Sequence, residues 1–473
     1  MERFREHLEH PAGRGVRPPG AHDGSAGGAA CGDLVRMSLR VDGDCVDAAG
    51  FEASGCGAAI AAGSAAVALV DGAPVLDAAR VGPHEIAAEL GGLSAGKFHA
   101  ADLAADALHR ALGAAARAGA ALAPDPGRAL VAMSGGVDSA VAALLVGEGA
   151  AAVTLELWSD PANDAEASCC SAHAVRLARS VAHRMGLPHF TLDLREEFRA
   201  GVVDPFLAGH AAGVTPNPCV GCNGHVRLDA MVAFADRLGA AALATGHYAR
   251  TTGDGLLRAA ADAAKDQTYM LAAVAPATLE RLRFPLGELA KPQVRALAAD
   301  AGLPVASKPE SQDLCFLAGT GKAAFLARHG DLPERPGDLV DATGRVLGRH
   351  RGHHHYTVGQ RRGLGVAAAE PLYVLATDAA ANRVTVGPRP ALATLAVAVR
   401  GARLHRAGSE VDAVRLRYHS RAVACRIPGD LAPGTHKRVE LELADPVDGA
   451  APGQTACLLH GDVVVGYGTI SAA

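Results

Sequence analysis

The chain has 473 residues, of which 49% are hydrophobic and 20% charged, and its formal net charge is −5. This length exceeds one average domain and predicts roughly three or four folded domains. The negative charge excludes a generic polyanion-binding protein, so any contact with nucleic acid requires a local basic face. The polar first residues contain no signal peptide, and no run of about 18 apolar residues occurs. We therefore expect a cytoplasmic protein without membrane contact, whose ten cysteines are thiols or metal ligands rather than structural disulfides.

The first quarter of the chain predicts a separate α+β domain. Residues 1–24 have the composition of a flexible N-terminus. Within residues 25–118, Val35–Val41 alternates like a strand, and Gly57–Val70 and Ala100–Arg117 are typical of Ala-rich helices. The Pro- and Gly-rich residues 119–127 predict a linker, so we expect the rest of the chain to fold without this domain.

The remainder predicts one α/β domain followed by two β-rich domains. Between residues 128 and 330, four apolar strands alternate with helices, which predicts a parallel sheet with ligands at the carboxyl ends of its strands. Short strands broken by turns then predict a small central β-rich domain over residues 331–394. A similar pattern with closer spacing predicts a C-terminal β-barrel over residues 395–473.

The most informative segment is the turn Ser134-Gly-Gly-Val-Asp-Ser139, which joins a predicted strand to a predicted helix. Two glycines allow a tight turn, and the first N–H groups of the helix point at the same place, which is a phosphate-binding geometry. The pattern lacks the Gly-Lys-Ser/Thr of a Walker loop. It resembles the pyrophosphate loop of ATP pyrophosphatases, which cleave ATP between the α and β phosphates and adenylate an acceptor.

Cysteines form the second chemical feature of the α/β domain. Cys219 and Cys222 have CxxC spacing, and Cys315 lies far from them in the sequence. The spacing alone leaves zinc binding, redox chemistry and core burial open. Beside an ATP-activating loop, distant thiols favour attack of sulfur on an activated acceptor. Gly221 and the nearby prolines predict that the CxxC segment is a loop.

Eight motifs occur in the order seen in bacterial tRNA-specific 2-thiouridylases, and the resemblance covers residues 128 to 473. The motifs are Ser134–Ser139, Asn217–Asn223, Thr245–Tyr248, Lys265–Gln267, Ser311–Phe316, Tyr356–Gly363, Arg415–Tyr418 and Pro452–Gln454. The resemblance implies an ATP- and Mg²⁺-dependent sulfurtransferase that adenylates the C2 oxygen of the wobble uridine in a tRNA anticodon stem-loop. Sulfur would arrive as a persulfide from a cysteine desulfurase or a sulfur-relay protein.

The same resemblance assigns roles to individual residues. It implies that Cys222 is the nucleophile and Cys315 the persulfide carrier; a 4Fe–4S cluster on Cys219, Cys222 and Cys315 remains the alternative. It implies an ATP site formed by Ala132, Met133, Ser134, Gly135, Gly136, Val137, Asp138, Ser139, Leu155 and Gly246. It implies target-base and tRNA contacts by Asn217, Pro218, Cys219, His247, Lys265, Asp266, Gln267, Arg417, Tyr418 and Gln454. For His247 a buried, hydrogen-bonded histidine remains the other interpretation. The basic stretch Arg345–Arg362 would contact phosphates.

The front domain resembles the iron–sulfur scaffolds of the IscU/NifU type. The motifs that carry this resemblance contain Cys31, Asp33, Cys56 and His99, but Ala100 stands where the third scaffold cysteine is expected. This set predicts a Zn²⁺ or Fe site without a stable cluster, or a module that docks a sulfur donor. A scaffold or carrier protein fused to an ATP pyrophosphatase is the rival function. The chemistry of argininosuccinate or GMP synthetases, which share the expected fold, is a second rival and requires no paired catalytic thiols.

Overall fold

The computed structural model describes residues 2–27, 32–160, 171–309 and 314–472. The chain divides into two compact units. The first comprises residues 1–195, 229–247 and 281–315, and the second comprises residues 196–228, 248–280 and 316–473. Among the helices of the described ranges, none combines the length and apolar character that crossing a bilayer requires.

The first unit begins with an α+β domain built on an antiparallel sheet of order β1-β2-β3. Its elements are α1 (Glu2–Glu9), β1 (His22–Gly27), β2 (Leu34–Asp42), β3 (Cys45–Ser54), α2 (Gly57–Val70), α3 (Val75–Ala78), α4 (Pro83–Glu89) and α5 (Phe98–Gly119). On β2, Val35, Met37 and Leu39 are fully buried because alternate residues of the strand face α5 and α2. The strand and both helices expected from the sequence are therefore confirmed.

The expected flexible N-terminus is wrong, because residues 2–24 are folded against this domain. His7 Nδ1 lies 2.8 Å from Ser64 Oγ, which joins α1 to α2. The backbone N–H of Phe51 donates to Gly13 O, and β1 pairs with β2 along its whole length. Backbone hydrogen bonds rather than apolar burial hold this segment, and composition does not reveal such bonds.

The α/β domain expected over residues 128–330 contains a five-stranded parallel sheet of order β10-β7-β4-β5-β6. Its strands and first helices are β4 (Asp125–Ala132), α6 (Val137–Val146), β5 (Ala150–Glu156), α7 (Ala172–Arg184), β6 (His189–Asp193), α8 (Arg195–Phe198), α9 (Asp204–Ala211), α10 (Pro218–Cys222), α11 (Leu228–Arg237) and β7 (Ala240–Thr245). The later elements are β8 (Arg250–Thr251), β9 (Leu257–Arg258), α12 (Thr268–Leu271), α13 (Pro276–Arg281), β10 (Leu282–Arg283), α14 (Lys291–Asp300) and α15 (Lys322–His329). The βαβ rhythm of the sequence therefore correctly predicted a parallel sheet.

Helix α5 joins the N-terminal domain to this parallel sheet inside the first unit. It packs on β1 and β2 and also on β6, the edge strand. A Cβ atom at Gly113 would lie 1.8 Å from Thr191 O, so only glycine allows this approach. The predicted linker is also structured, since β4 starts within it at Asp125 and the N–H of Ala121 donates to Gly43 O.

The second unit contains both β-rich parts of the chain. Strands β11 (Gly337–Val340), β12 (Val346–His350), β13 (Leu372–Asp378) and β14 (Arg383–Pro388) form a sheet of order β12-β11-β14-β13. The barrel strands are β15 (Ala393–Leu404), β16 (Ala413–Arg415), β17 (Val423–Arg426), β18 (Gly434–Asp448), β19 (Thr455–His460) and β20 (Val463–Ile470). Pairing of β15 with β20 closes the barrel, which also incorporates β8 and β9. Both expected β folds are present.

Candidate active site

The turn at Ser134–Ser139 connects the carboxyl end of β4 to the first turn of α6. Gly135 has φ +68°, and a Cβ there would lie 2.7 Å from Ala174 O, so this position requires glycine. The hydroxyl of Ser139 accepts from the Ser134 N–H at 3.1 Å and donates to Gly136 O at 3.1 Å. These two bonds fix the loop in a shape that presents the start of α6 to a ligand.

Neighbouring strands bring the other expected ATP-site residues to the same edge of the sheet. The N–H of Met133 donates to Val153 O, and Leu155 lies two residues farther along β5 and is buried. Gly246 follows β7, and a Cβ there would lie 2.7 Å from the backbone of Asp138. Leu155 and Gly246 therefore lie beside the loop, and their contact with ATP stays a prediction.

Two lysines that the motifs did not single out also converge on this loop. Lys291 Nζ lies 2.7 and 2.8 Å from the carboxylate oxygens of Asp138, and Lys308 Nζ donates to Gly135 O at 2.9 Å. Lys291 is the first residue of α14, and its side chain is only 10% exposed. Cations held at a phosphate-binding loop stabilise the charge of a departing pyrophosphate.

His247 stands at the exit of β7, one residue beyond Gly246. Its Nδ1 lies 2.9 Å from Thr245 Oγ1, which orients the ring, and the residue is partly exposed. The hydrogen bond fits the structural interpretation, and the exposure leaves the ring accessible. Its contact with tRNA stays a prediction.

In the second unit, the CxxC segment is helical rather than the expected loop. Asn217 Oδ1 accepts from the Val220 N–H, and Pro218 is the first residue of α10, so the segment carries ordinary helix-start signals. Cys219 and Cys222 lie three residues apart on this helix and therefore share a face. Cys219 is partly exposed, whereas Cys222 is 7% exposed. Cys315, which belongs to the first unit, is partly exposed; residues 310–313 lie outside the described ranges.

The barrel holds the backbone that precedes α10. Gln454 Nε2 donates to Thr215 O at 2.8 Å, and the Thr215 N–H donates to Pro452 O. Gly453 lies so close to Thr215 that a Cβ would be 2.9 Å from its backbone. Gln454 therefore helps to position α10, and its contact with tRNA stays a prediction.

Other expected tRNA contacts also have partners within the second unit. Asp266 is 6% exposed, and its carboxylate accepts from Arg415 Nη1 at 2.8 Å and from the Thr268 hydroxyl. Gln267 Oε1 accepts from the Tyr248 N–H at 3.0 Å. Both side chains stabilise the loop that carries partly exposed Lys265.

Arg417 and Tyr418 follow β16 in the barrel. Arg417 Nη2 donates to Val358 O and Gly449 O, at 3.1 and 2.7 Å. The Tyr418 ring lies 3.8 Å from that of His419, which has φ +60°. These contacts give the two side chains fixed positions, and their contact with tRNA stays a prediction.

The basic stretch of the central domain owes its charge to arginine. Its five arginines are exposed: Arg345, Arg349, Arg351, Arg361 and Arg362. Burial lowers the pKa of His350, His354 and His355, that of His354 to about 4, so these three are neutral near pH 7. Exposed guanidinium groups suit phosphate contacts.

In the N-terminal domain, Asp33, Cys56 and His99 come together as one cluster, with ligand atoms within 4.8 Å of one another. The Asp33 carboxylate accepts from the Cys56 backbone N–H at 2.8 Å, which is the main reason that its pKa is lowered, and from the Cys56 thiol at 3.2 Å. His99 Nε2 lies 3.2 Å from the same carboxylate. Sulfur, imidazole and carboxylate are ligands that suit Zn²⁺. Cys31, the fourth expected ligand, lies outside the described residues.

The position expected for a third scaffold cysteine offers no ligand. Ala100 is fully buried in α5, immediately after the half-exposed His99. A cluster scaffold needs soft thiolate ligands, and the expected set offers at most two, Cys31 and Cys56. The geometry therefore fits a single metal ion better than an iron–sulfur cluster.

These features define an ATP-using enzyme of the pyrophosphate-loop class, joined to a domain of the iron–sulfur scaffold type. Family models match four segments: a tRNA methyl transferase HUP domain over residues 127–319, its PRC-barrel domain over 323–388, an aminomethyltransferase beta-barrel domain over 404–470 and a NifU-like N-terminal domain over 1–118.

Curated relatives agree with this division. A bifunctional NifU/MnmA protein of Rubrobacter xylanophilus is 44% identical, over 98% of this chain and 97% of its own. tRNA-specific 2-thiouridylases of Xanthobacter autotrophicus and Acidithiobacillus ferrooxidans are 45% and 43% identical, over 74% and 72% of this chain and 94% and 98% of theirs. The chain therefore belongs to the tRNA-specific 2-thiouridylase family, in the form that carries a NifU-like N-terminal domain. Both resemblances drawn from the motifs are confirmed.

Proposed function

We propose that this protein catalyses the ATP-dependent 2-thiolation of the wobble uridine in a tRNA anticodon stem-loop. The observation that carries the proposal is the loop Ser134–Ser139, which is closed by Ser139 and flanked by Lys291 and Lys308. It provides N–H groups and two cations where a nucleoside triphosphate would lose pyrophosphate. Family membership identifies the acceptor as a tRNA uridine.

Activation replaces a poor leaving group by a good one. The uridine C2 oxygen attacks the α-phosphorus of ATP, the bond to the β-phosphate oxygen breaks, and pyrophosphate departs. The N–H groups at the start of α6 and the ammonium groups of Lys291 and Lys308 neutralise its charge. Asp138 offers the carboxylate for Mg²⁺, which, when bound, further neutralises the phosphates.

Sulfur then replaces the adenylated oxygen by one of two routes. In the first, the Cys222 thiolate attacks the inner sulfur of a Cys315 persulfide, and the released hydrosulfide attacks C2. In the second, the outer sulfur of the persulfide attacks C2, and Cys222 then attacks the Cys315 sulfur to release the thiolated base. Either route expels AMP and leaves a Cys222–Cys315 disulfide, which a thiol reductant returns to two thiols.

The N-terminal cluster has a separate role in this scheme. Asp33, Cys56 and His99, with Cys31, would hold Zn²⁺ or Fe, and the domain would receive sulfur from a cysteine desulfurase or a relay protein. Ala100 is buried at the position where a third thiolate would be needed, which favours this role over cluster assembly, so a scaffold function is the weaker alternative.

The direct test is to incubate the protein with ATP, Mg²⁺, a persulfide donor and an unmodified tRNA transcript. We expect 2-thiouridine, AMP and pyrophosphate in equal amounts. Ser134→Ala and Asp138→Ala should slow all three, because they disturb the loop. Release of ADP and phosphate would refute the proposed chemistry. Iron and sulfide analysis of anaerobically purified protein then separates the two mechanisms: iron and sulfide bound through Cys219, Cys222 and Cys315 would replace the persulfide routes by the cluster route.

A further inference from the structure

The first unit contains a cavity of about 930 Å³ where the N-terminal domain meets the parallel-sheet domain. One wall is formed by β1 and α5, and the opposite wall includes Glu156, Arg176 and Trp158. Cys315 lines the same cavity. The cysteine to which the proposed function assigns the persulfide therefore opens onto a space that the N-terminal domain helps to enclose.

The metal-ligand cluster adjoins residues that line this cavity. Helix α5 lines the cavity from Leu103 to Ala114, which corresponds to about 16 Å of helix. His99 precedes Leu103 by four residues and therefore lies one turn farther along the same face. On the neighbouring strand, Leu34 lines the cavity and follows Asp33 directly. Cys56, which shares its carboxylate partner with His99, is thus next to the cavity wall.

The two domains are held together by buried polar contacts. Asp106 pairs with Arg179 at 2.6 Å, and Arg110 pairs with Glu156 at 2.7 Å. His109 is fully buried, with one ring nitrogen 2.9 Å from His189 O. Because such groups require their partners, the cavity is a lasting feature of the first unit rather than a loose gap between tethered domains.

We propose that the N-terminal domain is a sulfur relay built into the enzyme, in which Cys56 passes a sulfane sulfur to Cys315 of the same chain across this cavity. The inference rests on the proposed function, since it supplies the persulfide that the thiolation consumes. When no metal ion occupies the cluster, a persulfide of a donor protein first loads Cys56, and the donor leaves as a thiolate. The Cys315 thiolate then attacks the outer sulfur of the Cys56 persulfide, the old S–S bond breaks, and Cys56 leaves as a thiolate.

The step conserves atoms and electrons, because one S–S bond forms as another breaks. The released Cys56 thiolate returns to the side of Asp33 and His99, where the hydrogen-bonded cluster accommodates it again. A relay needs one thiol on each side of the cavity. The absence of the third scaffold cysteine therefore leaves the relay possible, whereas the same absence would prevent assembly of a cluster.

Direct transfer requires contact between the sulfur atoms of Cys56 and Cys315. Mild oxidation detects such contact, because it links two thiols that meet as a disulfide. In full-length Cys222→Ser protein, diamide should produce a Cys56–Cys315 disulfide, identified by peptide mass spectrometry. Cys45→Ser is the matched control, because Cys45 lies in the same domain outside the cluster and the cavity, and it should leave this disulfide unchanged. If Cys315 couples to another cysteine of the domain, or to none, the assignment of Cys56 is overturned.

Activity assays separate the relay from the proposed function. With a protein persulfide donor, Cys56→Ser should lose 2-thiouridine formation, and excess hydrosulfide should restore it because it bypasses the relay. Cys45→Ser should behave as wild type with either source. Undiminished activity of Cys56→Ser with the protein donor would overturn the relay alone, whereas wild-type protein that is inactive with both sources would overturn the proposed function.

A mixing experiment tests whether transfer stays within one chain. Cys56→Ser retains an intact acceptor, and Cys315→Ser retains an intact carrier. At low protein concentration, their mixture should remain inactive with the protein donor. A rate for the mixture that approaches half that of wild type would show transfer between chains and refute the built-in relay.

Discussion

The buried ion pair between Asp106 and Arg179 allows a quantitative test of the interface that encloses the cavity. The charged atoms are 2.6 Å apart, and the side chains are only 6% and 4% exposed. Asp106→Asn preserves the shape of the side chain but removes the carboxylate that balances the buried guanidinium. Breaking a buried pair by removing one partner costs about 3–5 kcal/mol.

The same carboxylate supplies the control. Arg176 Nη1 lies 3.2 Å from Asp106, but its side chain is 45% exposed. Water screens this second contact, so Arg176→Ala should cost only about 0–1 kcal/mol. In the double variant Asp106→Asn/Arg179→Met, the unbalanced charge is gone, and most of the lost stability should return.

The single tryptophan of the chain, Trp158, lines the cavity at this interface and provides the fluorescence signal for urea unfolding. With a slope of about 1–3 kcal/mol per molar urea, Asp106→Asn should lower the midpoint by about 1–5 M. If it lowers the midpoint no more than Arg176→Ala does, the pair is solvated in solution and the reasoning about the interface is wrong.

Three further predictions concern other parts of the molecule. Lys291→Met should lower kcat/KM for pyrophosphate release by about 10²–10³-fold, whereas Lys437→Met, on the exposed face of β18, should not; equal rates would remove Lys291 from the ATP site. Cys222→Ser should abolish 2-thiouridine formation in a gel-shift assay while ATP and tRNA affinities stay near wild type, and substantial remaining product would exclude Cys222 as the nucleophile. Burial lowers the pKa of His183 from 6.5 to about 4, so below pH 6.5 the unfolded chain binds the proton first, and the contribution of this side chain to stability should fall by about 1.4 kcal/mol per pH unit down to about pH 4. His183→Gln should flatten this decline in urea midpoints measured across that range, and an unchanged slope would contradict the assignment.

Local signals in the sequence predicted local structure well. The bounds expected for α2 are those observed, because Gly57–Val70 is an Ala-rich segment in which Ser64 is the single polar residue. The loop at Ser134–Ser139 was equally predictable, since its glycines and the following helix are neighbours in the sequence. In contrast, α10 was expected to be a loop, because Gly221 and the prolines outweighed the capping signal of Asn217.

Contacts between distant residues could not be predicted from the sequence. Lys291 and Lys308 lie 153 and 173 positions from their partners in the loop, and no short motif connects such separations. The cluster of Asp33, Cys56 and His99 was predictable only through its resemblance to scaffold proteins. The cavity could not be predicted from the sequence, because it depends on how α5 packs against β6, and the motifs of neither domain indicate this packing.

That packing also changes how the N-terminal domain should be regarded. Edge strand β6 is covered by α5, and its first N–H, that of His189, donates to Ala79 O in the N-terminal domain. A protein cut after residue 120 would expose this edge and leave Arg179 without Asp106, and exposed edges promote aggregation. The sequence-based expectation that the rest of the chain folds without this domain therefore stays a prediction, which the solubility and urea unfolding of residues 121–473 alone would test. A domain whose helix α5 packs on the edge strand and helps to enclose the cavity around Cys315 contributes to the stability of the first unit, in addition to any role in sulfur delivery.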